Sequence, residues 1–90
     1  MAHFVMFHAK VQDFAKWKKA YDSHISVRKE YGLSEEALYK RASDPNDIVL
    51  ILKAAELNRA QEFVDDPKVR QVIRDSGLIG SPDISFLEKA

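Results

Sequence analysis

DFAKWKKAYDSHISVRKEYG, residues 13–32, reads as one long amphipathic helix, and the rest of the chain is laid out around it. Asp13 suits an N-cap, and Gly32 stands where a left-handed residue would end the helix. At about 100° per residue, Phe14, Trp17, Tyr21, His24, Ile25 and Arg28 fall on one stripe. Lys16, Lys19, Asp22, Ser23, Ser26, Lys29 and Glu30 take the other side. An imidazole and a guanidinium therefore share the core-facing stripe with three aromatic rings, which marks it as a candidate site.

Upstream, AHFVMFHAKV (2–11) is a strand whose two alternating sets, Val5, Phe7, Ala9, Val11 and Phe4, Met6, His8, are both largely apolar. Downstream, LSEEALYKRAS (33–43) is a polar strand of the kind found at sheet edges. Ser43-Asp44-Pro45-Asn46-Asp47 is a dense turn signal closing a hairpin. Ile48 to Leu52 is a continuous β-branched and aliphatic run, the pattern of a strand covered on both faces. Helical spacing returns through Leu57, Ala60, Phe63 and Val64, and Asp66-Pro67 restarts it as N-cap and N1. Gly77 ends that helix, Ser81-Pro82 breaks the chain, and a short strand, Asp83 to Glu88, closes it.

This order, β-α-β-β-α-β, predicts a ferredoxin-like α+β fold: a four-stranded antiparallel sheet with strands one and three central. Two helices cover one face of such a sheet, yet both central strands are apolar on both faces. The uncovered face would be a large exposed hydrophobic patch, so a homodimer packed sheet to sheet is expected.

Ninety residues make one domain, and a chain this short buries roughly two-thirds of its unfolded surface. Fourteen basic and fourteen acidic residues cancel, and no basic block is present to attract nucleic acid or anionic lipid. With no cysteine there is no disulfide framework, thiolate nucleophile or iron–sulfur ligand set. His3 and His8 have opposite strand parity and cannot readily share a metal, and no HExxH or clustered carboxylate spacing occurs. No metal, cofactor, nucleic acid or membrane partner is expected. The start, MAHFVMFHAK, lacks the pattern of a secretory signal, so a cytoplasmic location is expected.

The whole chain resembles the dimeric α+β barrel superfamily, in particular its small single-domain members related to antibiotic-biosynthesis monooxygenases. The resemblance lies in the order of elements and in local pieces: Asp13…Trp17, His24…Arg28…Gly32, Asp44-Pro45-Asn46, Ala60…Phe63…Asp66-Pro67 and Gly77. It implies two sheets closed into a barrel and a ligand pocket in each subunit between sheet and helices. Members include cofactor-free monooxygenases, isomerases and haem-using enzymes. No single catalytic motif unites them, so fold analogy assigns no residue a role.

The residues themselves supply candidates. His24 can exchange a proton near neutral pH. Arg28 can anchor an anionic group or oxygen, or else bridge Glu35, Glu36 or Glu88. Trp17 and Tyr21 can wall a planar ligand, and Tyr39 and His8 are candidates from the sheet, although strand parity leaves open which face lines the pocket. The same element order builds RNA-recognition domains, but those stack bases on strand-three aromatics, where this chain has Ile, Val and Leu. Two readings follow. One is a small-molecule binder or cofactor-free enzyme, monooxygenase- or isomerase-like, acting on an apolar or aromatic ligand. The other is a non-catalytic dimeric module, a ligand carrier or interaction protein, in which His24 and Arg28 are structural.

Overall fold

The computed structural model describes residues 2–90. In chain order its elements are β1 (His3–Val11), α1 (Phe14–Ser23), α2 (Ile25–Glu30), β2 (Leu33–Arg41), β3 (Asp44–Ala54), α3 (Leu57–Asp65), α4 (Pro67–Asp75) and β4 (Leu78–Glu88). The strands form one antiparallel sheet in the order β2-β3-β1-β4. This is the ferredoxin-like arrangement, with the two apolar strands central and the polar β2 at an edge.

Strand parity sorts the side chains onto two faces. Val5, Phe7 and Val11 of β1 and Ile48, Leu50, Leu52 and Ala54 of β3 are buried and meet Trp17, Tyr21, Ala60, Phe63, Val64 and Val69 from the helices. The opposite face carries Phe4 and Met6, which pair in register with Lys53 and Ile51 of β3 and Leu87 and Ser85 of β4. Tyr39 lies beside Val49 and Ala37 beside Ile51 on that same face. Phe4, Met6, Val49 and Ile51 are only partly covered, and Tyr39 is 60% exposed.

The structure corrects the expected single helix over 13–32: it breaks at His24, whose backbone (φ −109°, ψ 22°) leaves the helical range. The cause is local competition for two carbonyls. Ser23 Oγ donates to the Ala20 carbonyl at 2.7 Å, and His24 Nδ1 lies 2.7 Å from the same oxygen. The His24 amide turns instead to the Tyr21 carbonyl at 3.2 Å. Side chains that bond nearby carbonyls compete with the helical ladder in this way. One consequence is that Ile25 leaves the core stripe and is 53% exposed.

Both ends of the helical unit follow the sequence signals. Asp13 accepts from the Ala15 and Lys16 amides, and Gly32 takes a positive φ of 72°. Asp66 caps α4 by accepting from the Lys68 amide, with Pro67 at its first turn.

Two strand boundaries differ from expectation. The β2–β3 turn is Ala42-Ser43, while Pro45 to Asp47 lie within β3, where the register shifts between Lys40 and Arg41. Asn46 uses this irregularity to accept from the Phe14 amide at 3.0 Å, tying the hairpin to the start of α1. Likewise Ser81-Pro82 does not break β4. The strand runs from Leu78, with the irregularity opposite Ala9 absorbing Gly80, Ser81 and Pro82. A bulge leaves residues out of the ladder, so the missing proline N–H costs no strand bond there.

Candidate ligand-binding site

A cavity of about 380 Å³ lies between the helices and the sheet. That is within the range of small-molecule sites. Its sheet side is apolar, with Phe7, Ala9, Ile48, Leu50 and Leu52 among its residues. Trp17, Tyr21, His24 and Arg28 border it from α1 and α2, and Phe63, Asp66, Val69 and Val72 from α3 and α4. Four of the six candidate residues read from the sequence are therefore brought together.

The other two are not. His8 and Tyr39 occupy the opposite sheet face: His8 pairs in register with Val49, and so does Tyr39. The even-numbered side chains of β1 point away from the helices, and only the odd-numbered set reaches the cavity. His8 Nε2 instead meets Asp47 Oδ1 at 2.8 Å, and Arg41 Nε meets Asp47 Oδ2 at 3.0 Å.

The helical wall is a stacked column. The Trp17 and Tyr21 rings lie 5.0 Å apart and within 17° of parallel, and the Arg28 guanidinium carbon sits 3.8 Å from the Tyr21 centroid. Tyr21 Oη donates to Glu35 Oε1 on β2 at 2.9 Å. Burial, then this bond to a carboxylate, pushes the Tyr21 phenol well above its ordinary range. Tyr21 is thus a protonated wall and donor rather than a base.

Arg28 is only 7% exposed. Its Nη1 donates to the Tyr21 carbonyl at 2.7 Å. The expected bridges to Glu35, Glu36 or Glu88 do not form: among the described residues no carboxylate makes an ion pair with it. Glu35 is engaged by the Tyr21 hydroxyl, and Glu88 lies in β4, paired in register with His3.

His24 is half-buried, with Nδ1 against the Ala20 carbonyl and 3.1 Å from Ser23 Oγ. A carbonyl only accepts, so this contact puts a proton on Nδ1, and in the neutral ring the lone pair is then on Nε2.

Two contributors escaped the sequence reading. Tyr31 Oη donates to Asp66 Oδ2 at 2.6 Å, joining the end of α2 to the α3–α4 junction beside the cavity. That bond, together with the Lys68 amide, holds the Asp66 carboxyl below its ordinary value, and Tyr31 is correspondingly raised. Neither this pair nor Tyr21–Glu35 has a local signature, since the partners stand 35 and 14 residues apart.

The fold of this chain is that of the small proteins grouped around antibiotic-biosynthesis monooxygenases. A candidate antibiotic biosynthesis monooxygenase from Bordetella bronchiseptica superposes with a TM-score of 0.79 at 12% identity, over 99% of this chain and 97% of that one. SnoaB, a cofactor-independent oxygenase from Streptomyces nogalater, superposes with a TM-score of 0.73 at 12% identity, over 99% and 92%. A conserved protein from Methanosarcina mazei gives 0.75 at 12% identity, over 100% and 94%. At these identities the likeness is one of fold. No family model and no curated protein sequence matches the chain.

Proposed function

We propose that the chain is a homodimeric, cofactor-free enzyme that binds an apolar or aromatic molecule in the helix-side cavity. The observation that carries this is a roughly 380 Å³ apolar space bordered by a histidine whose Nδ1 lies against the Ala20 carbonyl. In this reading Trp17 and Tyr21 position a planar substrate, and His24 Nε2 takes a proton from it. The apolar sheet side limits water around the resulting anion. Such an anion is electron-rich enough to reduce oxygen directly, as a monooxygenase requires, or to be reprotonated elsewhere, as an isomerase requires. The fold shared with a cofactor-independent oxygenase supports the first.

The dimer is part of the same proposal. Phe4, Met6, Val49, Ile51, Tyr39 and Leu87 make an apolar sheet face that no helix among the described residues covers, and a second copy packed on it would complete a barrel.

One observation favours the non-catalytic reading. His24 and Arg28 each bond a backbone carbonyl at the α1–α2 break, which is a structural service. The test uses Trp17, the sole tryptophan, as a reporter in the cavity wall. Neutral planar aromatics should quench its fluorescence saturably, and Ala20→Phe, which fills the cavity, should abolish the quench while the protein remains folded. Oxygen uptake with ketones bearing an acidic benzylic C–H then separates enzyme from carrier.

A further inference from the structure

We infer that the ligand of this cavity carries a carboxylate on its apolar body, received by the guanidinium of Arg28. The inference rests on the reading of the cavity as a ligand site and narrows the class of molecule it takes.

Among the described residues two charged side chains are buried, Arg28 and Asp47. Asp47, on the opposite sheet face, is met by His8 and Arg41. Arg28, on the cavity side, has no counter-ion among the described residues. A guanidinium cannot shed its charge on burial as a lysine or histidine can. Burial of an unpaired charge is costly, and a matching charge brought by a ligand removes that cost.

The other charges bordering the cavity are not available to Arg28. Asp66 is held by the Tyr31 hydroxyl and the Lys68 amide, and Glu30 and Lys68 are exposed. Arg28 itself is fixed in place by the stack on Tyr21 and by the single bond from Nη1 to the Tyr21 carbonyl. Of its five N–H donors, four remain without a protein acceptor among the described residues. A planar carboxylate accepts two parallel N–H bonds from such a fork, a match no neutral oxygen makes as well. Neighbouring apolar side chains then receive the body of the molecule, so the site selects an aromatic acid over its neutral analogue.

The experiment titrates the full-length protein with naphthoate and with its neutral, nearly isosteric carboxamide, read by Trp17 quenching and by calorimetry. The wild-type protein should bind the acid roughly ten- to a hundredfold more tightly than the amide. Arg28→Gln should bring the acid-to-amide affinity ratio down to about one, and Arg28→Lys should retain part of the preference. Equal affinity of acid and amide in the wild-type protein overturns the carboxylate while leaving the apolar pocket standing. Failure of both to bind overturns the pocket as well. Should Arg28→Gln not fold, the wild-type acid-to-amide ratio still decides, since it needs no variant.

Discussion

Arg28 and Tyr21 hold one another twice: the guanidinium stacks on the phenol ring at 3.8 Å, and its Nη1 donates to the Tyr21 backbone carbonyl at 2.7 Å. The same carbonyl accepts the His24 amide, so the break between α1 and α2, the stacked column and the buried cation form one unit.

The Tyr21 hydroxyl is the link from this unit to the sheet. Tyr21→Phe should lower stability by about 1 kcal/mol, the usual net worth of such a bond, measured by chemical denaturation. Its alkaline behaviour has a definite sign. A phenol raised in the folded state contributes stability fully present below its ordinary value of 10.0, and that contribution is lost as pH rises through the raised value. Tyr21→Phe should therefore flatten the alkaline limb of a melting-temperature profile.

Acid behaviour turns on Asp66. Its carboxyl is lowered in the folded protein, so its contribution is in place above the ordinary value of 3.8 and is lost as pH falls through the lower folded one. Tyr31→Phe removes the largest cause of that lowering. The variant should lose less stability than the wild type between neutral pH and acid, as read by melts across that window.

Gly32 is a site where a side chain cannot be added without strain. Its φ is 72°, and a Cβ there would stand 3.3 Å from Ala55 Cβ, beside the bond from the Ala55 amide to the Gly32 carbonyl. Gly32→Ala should destabilise by about 1–2 kcal/mol in denaturant titrations.

The uncovered sheet face makes the oligomeric state measurable. Sedimentation at micromolar concentration should return twice the 10.3 kDa of the chain. Ile51→Asp, which puts a charge in the middle of that face without touching the cavity side, should shift the protein to single subunits. A single subunit for the wild type would contradict the dimer.

His24 separates the two functional readings. If Nε2 is the base, His24→Gln lowers turnover by about a hundredfold or more with little change in melting temperature. If His24 only holds the Ala20 carbonyl, the melt moves and ligand affinity does not.

Much of this was legible in the chain. The polarity of β2 against the runs in β1 and β3 placed edges and centre, and Asp13, Gly32, Asp66-Pro67 and Gly77 marked helix ends because each signal is local. The stripe of Trp17, Tyr21, His24 and Arg28 gave the helical wall for the same reason. What escaped depended on partners distant in sequence or on competing bonds. Ser23 and His24 taking the Ala20 carbonyl broke the helix, and the bulge opposite Ala9 carried β4 through Pro82. Alternation sorted His8 from Phe7 but could not say which set met the helices, so whether His8 and Tyr39 faced the cavity stayed open until the sheet's packing placed them on the other side. The isolation of Arg28 was hidden because Glu35 had an equally good claim on it until the Tyr21 hydroxyl took that carboxylate.

The most direct test of the account is a crystal structure of the protein soaked with an aromatic ligand. It should place the aromatic body between the helices and β3, against Trp17 and Tyr21 and within reach of His24 Nε2. A ligand found instead on the opposite face, against Phe4 and Met6, or a helix-side cavity filled by side chains with no ligand in it, would contradict it.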